Sequence, residues 1–440
     1  MKRKLLARFP LGNPRRIWQQ DYFIFSAFSP GVLSLENDCE ELSLIMRRSV
    51  KTCVDAGFNL LELGWASPER GKMAVRMCEQ LGVGVIYQNL KRYGGMGRKN
   101  VFCETNDLIG SMEEMRHWKS IAGYYLWDEP HTVEQMKNVR AMMDLCERKN
   151  PNLLPFTVAL PSYNKICLYS NGKYPEYITN YCDIIDPPIM SFDYYPIGKG
   201  HRTGQDNATV QLDESHLWYD LEYVYRAAKE RDIPFWFYYQ GQNLHNAKHF
   251  CFGATRLMMH GALLYGVKGL QHYTPWDNVV DPETGKPGPT FEEQKQVHAE
   301  LRELGNTLMA LSCDRVIHDD ALLPNSPFMN ELRSTMKESK LLKGKLPFRT
   351  SVSELSDAYG NRYLMVLNRD YLEEKDIALE LKAPSHVYEV SKTDGEQYLI
   401  SDSTQALNMH LIPGGMALYR IQPAEEEAFT VEYYLEKEPV

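Results

Sequence analysis

Three features of this 440-residue chain predict an α/β barrel followed by an all-β module. Short apolar runs alternate with segments of helical period from about residue 21 to about residue 311. Several of those runs are apolar on both faces, as parallel strands covered by helices must be. Beyond residue 312 the helical period disappears, and short runs sit between turn residues, the pattern of antiparallel strands. Eight strand-and-helix units fit the first region, which is the count and length of a (β/α)8 TIM barrel. The expected organisation is an N-terminal extension over 1–20, a barrel over 21–311, a small antiparallel β-sandwich over 312–424 and a surface tail over 425–440.

The elements follow in order. Residues 22–28 make the first strand, closed by Pro30-Gly31, and a helix is expected over 39–56. Residues 58–65 make the second, after which Ser67 and Pro68 supply an N-cap and a first-turn proline for a helix to Leu81. Strand three, 83–89, leads into a loop rich in Gly and Arg, and a helix follows to about Ser120. Strand four is Ile121-Ala-Gly-Tyr-Tyr-Leu-Trp-Asp-Glu-Pro130, and Thr132 with Gln135 forms a capping box that opens the next helix. That helix places Met136, Val139, Met143 and Cys146 on one face and stops before Pro151. Strand five is 154–160 and strand six 184–195. A helix over 216–229 leads to strand seven, 234–240, and an apolar helix over 247–265 leads to strand eight, 268–276. The last barrel helix starts at Thr290, with Glu293 behind it, and runs to about Leu311. In the C-terminal part, runs at 363–368, 377–381, 387–390 and 416–421 read as strands.

Charge and composition exclude several classes of function. A net charge of −9 leaves no long basic face for a nucleic-acid partner. No stretch reaches the roughly 18 apolar residues a membrane span needs, so no membrane partner is expected. Nine cysteines, an odd number without CxxC spacing, fit neither a disulfide framework nor a structural zinc site. No cluster of His and carboxylate residues converges on the rim strands, so neither a metal nor another cofactor is expected. The first residues are basic but carry no apolar signal run, so the chain reads as cytoplasmic, or as periplasmic or secreted if a leader has been trimmed. Oligomeric state is not indicated.

Strand four carries the chemistry. Asp128 and Glu129 stand where a strand hands over to a helix, which in a barrel is the C-terminal rim where catalytic groups collect. By period two, Gly123, Tyr125, Trp127 and Glu129 share one face and Asp128 takes the other; on strand six Ser191, Asp193 and Tyr195 share a face. If both faces point inward, Glu129 and Asp193 meet at the mouth, one protonated acid and one ionised carboxylate, the pair that glycoside hydrolysis uses. Burial of Glu129 against Trp127 would raise its pKa as an acid catalyst requires. Glu62 on strand two and Asp277 beyond strand eight are further candidates for the second carboxylate. Trp65, Trp127, Tyr195, Tyr239, Tyr273 and Trp276 are candidate sugar platforms, and Gln240 and His272 candidate ligand contacts. The plainer readings are charge favouring a helix start for Asp128-Glu129, a turn cap for Asp193, a structural rim group for Glu62, and core for His272 and half the aromatics. The Gly94-Gly95-Met-Gly97 loop with Arg92, Arg98 and Lys99 lacks a phosphate-loop pattern and reads as a turn.

Trp127-Asp-Glu-Pro130 resembles the Asn-Glu-Pro motif of the large clan of (β/α)8 glycoside hydrolases that includes cellulases and β-galactosidases. The eight-unit order and the appended β-sandwich fit the same resemblance. It implies a carbohydrate substrate, Glu129 as acid/base, and Asp128 where the clan has an asparagine near the sugar 2-hydroxyl. One departure is plain. The clan's nucleophilic glutamate ends strand seven, and here that segment reads Tyr238-Tyr-Gln-Gly-Gln242, with Gln240 in the strand's last position. Two further readings follow: a carbohydrate-binding barrel without catalysis, and a substrate-assisted hydrolase, since Asp128-Glu129 is similar to the carboxylate pair of hexosaminidases whose substrate acetamide attacks.

Overall fold

The computed structural model describes residues 1–7, 16–29, 40–63, 68–88, 105–163, 173–197, 214, 216–241, 251–319, 330–332 and 338–435. After β1 (Lys2–Leu6) the barrel region runs β2 (Ile24–Phe28), α1 (Glu40–Asp55), β3 (Leu60–Leu63), α2 (Pro68–Leu81), β4 (Gly84–Tyr87), α3 (Thr105–Met115) and β5 (Ile121–Asp128). It continues with α4 (Val133–Lys149), β6 (Leu154–Val158), α5 (Tyr174–Ile185), β7 (Met190–Tyr194), α6 (Leu217–Glu230) and β8 (Phe235–Gln240). Then come α7 (Phe252–Leu264), β9 (Gly269–Tyr273), α8 (Phe291–Glu303) and α9 (Gly305–Ala310). The eight strands β2 to β9 pair in parallel, in the order β6-β5-β4-β3-β2-β9-β8-β7. A parallel bridge between Ala159 and Phe192 joins the two ends of that order, so the sheet closes into a barrel.

Local chemistry explains most boundaries. The capping box before α4 forms as expected: Thr132 accepts from the Gln135 backbone N–H, and the Gln135 side chain accepts from the N-cap backbone. One helix departs from expectation. Ile184 and Ile185, read as the start of a strand, end α5, which Tyr174 opens with Pro175 in its first turn. Tyrosines and isoleucines favour strands when taken alone. Here Tyr177, Ile178, Tyr181, Cys182 and Ile185 bury one helical stripe against the barrel, and packing overrides propensity.

The C-terminal module is a sheet in the order β10-β12-β13-β16-β14-β11, with β15 paired to β14. Its strands are β10 (Ser312–His318), β11 (Leu342–Lys343), β12 (Thr350–Ser356), β13 (Arg362–Asn368), β14 (Lys375–Val390), β15 (Gln397–Leu411) and β16 (Met416–Pro423). Alternation on β13 makes it a middle layer. Leu364 and Val366 join a core with Ile377, Leu379 and Leu407 of the β14–β15 hairpin, while Tyr363, Met365 and Leu367 join the barrel core. The hairpin thus folds back as the second layer of a sandwich.

The chain ends meet. β17 (Thr430–Tyr434) pairs in parallel with β1, and Val431 and Tyr433 are buried. The expectation of a surface tail is therefore corrected for β17: apolar side chains at alternate positions, Phe429, Val431 and Tyr433, bind it to the body of the protein. Among the described residues no helix is long and apolar enough to cross a membrane.

Candidate active site

Register fixes which side chains enter the barrel. Ser26 and Phe28 of β2 align with Gln271 and Tyr273 of β9, which align in turn with Tyr238 and Gln240 of β8. Asp193 of β7 aligns with Tyr238. Glu62 of β3 aligns with Phe28. These residues face inward, and Phe25, Ala27, Tyr239 and His272 between them face the helices, where Phe25 meets His298 of α8 at 4.6 Å between ring centroids.

Glu62 is the hub of the interior. It is fully buried, and its Oε1 accepts from Ser26 Oγ at 2.5 Å and Gln271 Nε2 at 2.8 Å, while Tyr238 donates to Oε2. Ser191 Oγ donates in turn to Gln271 Oε1 at 2.7 Å. Burial pushes the Glu62 carboxyl upward; the bonds from Ser26, Tyr238 and Gln271 oppose that shift, and the charge of Asp128 adds to it. With three donors on two oxygens and no exposed surface, Glu62 holds the strands together and offers no accessible oxygen to a sugar.

The end of β5 corrects the expected alternation. Tyr125 pairs with Phe156, but Trp127, not Leu126, pairs with Thr157, so β5 carries one extra residue there. The bulge reverses the faces beyond it. Trp127 falls level with Thr157, the side that lies against Tyr181 of α5, and is buried there. It is core, not a sugar platform. Asp128, expected to point away, turns inward: its Oδ1 accepts from Tyr125 OH at 2.9 Å, and its charge acts on Glu62, Tyr125 and Tyr238.

Glu129 follows with φ of 53°, in the left-handed region. Such a conformation costs a non-glycine residue about 1–3 kcal/mol and persists where surrounding bonds impose it. Here Tyr177 OH donates to the Pro130 carbonyl at 3.1 Å, His131 Nδ1 lies 3.1 Å from the Glu129 carbonyl, and Gln135 takes the His131 N–H at 2.8 Å. The half-buried Glu129 acts by its charge on Tyr163, a residue of the turn after β6.

Tyr163 lies in the field of both expected carboxylates. Burial first, then the charges of Asp193, Glu129 and Asp220, push its hydroxyl upward. Asp193 also acts on Tyr195 and Tyr238. Tyr195 and Tyr273 face each other at 4.5 Å between centroids, and Tyr273 stacks on Phe28 at 6.0 Å and 10°. This half-buried tyrosine pair forms an aromatic wall beside the carboxylates. Among the described residues, the leading charges acting on Glu62, Tyr125, Tyr163, Tyr195, Asp220 and Tyr238 belong to carboxyl and phenol groups, with no lysine or arginine among them.

Other candidates lie elsewhere. Gln240 reaches inward but is fully buried: its Oε1 accepts from the Ile197 N–H at 2.7 Å and its Nε2 donates to the Ile197 carbonyl at 3.1 Å. Its amide braces the chain after β7 and is spent. Tyr239 and His272 face the helices, 5.0 Å apart between centroids, and burial lowers His272 to about 3. They are core, because period two puts them opposite Tyr238 and Gln271. Trp276 is half-buried beyond β9, its indole N–H without a hydrogen-bond partner, and remains at the rim. Asp277 beside it is exposed and left-handed, with φ of 68°. Trp65 and the Gly94–Gly97 loop with Arg92, Arg98 and Lys99 lie outside the described residues. Asp220, in the first turn of α6, is fully buried beside the site and was not anticipated. Its sequence signal, an aspartate on the stripe of Leu217, Leu221 and Val224, reads only as a helix-start charge. Among the described residues no group of three His, Cys, Asp or Glu side chains is placed to hold a metal ion.

No protein-family model matches the chain. No curated protein matches it in sequence. Solved structures do match. A Bacteroides fragilis protein described provisionally as an alpha-galactosidase aligns with a TM-score of 0.54 at 10% identity, over 92% of this chain and 80% of that one. An alpha-galactosidase/melibiase so described from the same organism gives 0.49 at 10% identity, over 92% and 80%. An Anoxybacillus alpha-amylase gives 0.47 at 11%, over 91% and 98%. At 10% identity, what is shared with the first is the fold, a (β/α)8 barrel with a C-terminal antiparallel β-domain.

Proposed function

We propose that this protein is a glycoside hydrolase cleaving an O-glycosidic bond of an oligo- or polysaccharide, with Glu129 as general acid/base and Asp193 as the second carboxylate. One observation carries the reading: Glu129 after β5 and Asp193 of β7, on either side of β6, both act on Tyr163. Hydrolysis of a glycoside passes through an oxocarbenium-like transition state, so positive charge develops at the sugar. The carboxylates that the described residues bring to the mouth stabilise that charge. The Tyr195–Tyr273 wall offers ring faces to the sugar. The fold likeness to a protein described as an alpha-galactosidase is in keeping with this chemistry.

Glu129→Gln tests it. General acid catalysis contributes about 10²–10⁴-fold, so the variant should lose that much kcat on natural glycosides and recover most of it on substrates whose leaving group needs no proton. Equal loss on both kinds of substrate, or saturable sugar binding without turnover in the unaltered protein, would reject the assignment; the second outcome would leave a carbohydrate-binding barrel.

The bulge in β5 favours a second reading. It brings Asp128 into the mouth beside Glu129, while Gln240 is occupied. In a substrate-assisted hydrolase, Asp128 would orient an acetamido group and Glu129 would protonate the leaving oxygen. Activity confined to N-acetylated sugars, with Asp193→Asn nearly unaffected, would select it.

A further inference from the structure

Two buried glutamines stand at the rim of the barrel, and only one of them is satisfied. Gln240 closes β8, and Ile197 takes both its amide oxygen and its amide nitrogen. Gln88 directly follows β4 and is 3% exposed, yet its Oε1 is buried without a hydrogen-bond partner. β3, β2 and β9 separate β4 from β8 on one side, and β5, β6 and β7 on the other, so the two glutamines stand across the barrel from each other. Register gives the direction of Gln88. Ile86 pairs with Glu62, the inward hub, and Tyr87 pairs with Leu63 on the helix side. Alternation then turns Gln88 inward, one layer above Ile86. Neither Tyr87 nor Gln88 is left-handed, so nothing interrupts that alternation. On the other side Ile86 pairs with Gly123 and Tyr87 with Tyr124, which brings Gln88 level with Tyr125 of β5. Tyr125 is the residue that donates to Asp128 at 2.9 Å, and Glu129 follows Asp128.

We infer that Gln88 is a substrate-binding residue of this site: its amide oxygen accepts a hydrogen bond from one hydroxyl of the sugar held beside Glu129, and so selects glycosides that carry that hydroxyl. The inference rests on the hydrolase reading for its ligand, a neutral, hydroxylated ring. A buried carbonyl oxygen that accepts nothing weakens the free protein, and an apolar side chain of the same length would fill the space without that cost. The cost is recovered when a donor arrives, and a sugar hydroxyl is such a donor. An amide also suits this corner of the mouth better than a carboxylate. It is neutral at every pH, so it recognises a hydroxyl without adding to the charge that Asp128 and Glu129 already bring. A site built around a hydroxyl rejects the analogue that lacks it, because the buried acceptor is then left unpaired under the ligand.

Gln88→Met keeps the length of the side chain and removes the amide. The free variant should melt no lower than the unaltered protein, because an idle polar atom leaves the interior. A melting point lower by several degrees would make the amide structural and overturn the inference. The ligand side is read with the p-nitrophenyl galactoside, glucoside, mannoside, fucoside and N-acetylglucosaminide, then with singly deoxygenated forms of the best of them. The measure is kcat/KM where the glycoside is cleaved and Kd where it is only bound. In the unaltered protein one deoxy position should cost about tenfold. Gln88→Met should cost about tenfold on the full sugar and nothing further on that deoxy sugar, the signature of a direct contact in a double-mutant cycle. Additive losses at every deoxy position overturn the inference. The two readings fail separately. Cleavage with additive losses removes Gln88 from the site and leaves the hydrolase. Binding without cleavage that still shows the coupling keeps Gln88 and rejects the hydrolase. If none of these glycosides binds, both are rejected.

Discussion

The ends of β5 and β8 are the two rim positions where a barrel hydrolase of the resembled kind carries its carboxylates, and here they are built in opposite ways. At the end of β5 a bulge at Leu126 and a left-handed Glu129 throw two carboxylates into the mouth, one exposed and one half-buried. At the end of β8 the side chain is an amide, wholly buried, with donor and acceptor both committed to Ile197. The first end stores strain and presents charge; the second is relaxed, satisfied and neutral. Strained backbone of this kind clusters at functional sites. In the proposed hydrolase the second carboxylate comes from the neighbouring β7, where Asp193 stands level with Tyr238.

Exchanging the two residues beyond the bulge, Trp127→Asp with Asp128→Trp, should break the contrast most severely. It puts a carboxylate level with Thr157 on the side of Tyr181 as a buried, unpaired charge and takes the acceptor from Tyr125. The expected result is loss of cooperative folding or of all activity, checked by thermal unfolding and turnover. A folded, active exchange variant would mean that the faces at this end of β5 do not set the site.

The β8 end gives a smaller effect. Gln240→Ala leaves the Ile197 N–H and carbonyl unpaired in the interior and should cost about 2 kcal/mol in denaturant unfolding. Gln240→Glu sharpens the point: a carboxylate there should destabilise the protein and bring no gain in hydrolysis. A rise in kcat would show that position 240 is still poised for a nucleophile.

Acid titration gives the smallest effect, with opposite signs on the two sides of the barrel. His272 and His298 fall to about 3 from an ordinary 6.5, so the unfolded chain takes up their protons first. The stability they support is present above 6.5 and is lost as pH falls toward 3. Glu62 is raised above its ordinary 4.5, so its contribution is full below 4.5 and fades as pH rises. Denaturant unfolding across this range should show a flatter acid slope in His272→Phe and a steeper one in Glu62→Gln. Parallel profiles for both variants and the unaltered protein would contradict these assignments.

The barrel and its appended β-domain were legible in the chain because burial on both faces leaves a continuous apolar run, and eight such runs alternate with helical period. The cap of α4 was legible because Thr132 and Gln135 act within one turn. Glu129, Asp193, Tyr195 and Tyr273 were legible as rim residues because strand ends can be read from hydrophobic pattern. What the sequence could not decide was orientation beyond a local irregularity. A single extra residue in β5 exchanged Trp127 and Asp128 between mouth and core, and nothing in Tyr-Leu-Trp-Asp marks it, since the bulge arises from how β5 fits β6. Whether a polar residue is free or spent is likewise a tertiary matter. Gln240, Glu62 and Asp220 look alike as isolated polar residues in apolar surroundings. Only their partners, Ile197, the Ser26–Tyr238–Gln271 set and Ser162, brought close from distant parts of the chain, tell a brace from a hub and a hub from a clamp on a turn. Hydrogen-bond capacity is saturated in three dimensions, by neighbours that chain order does not name.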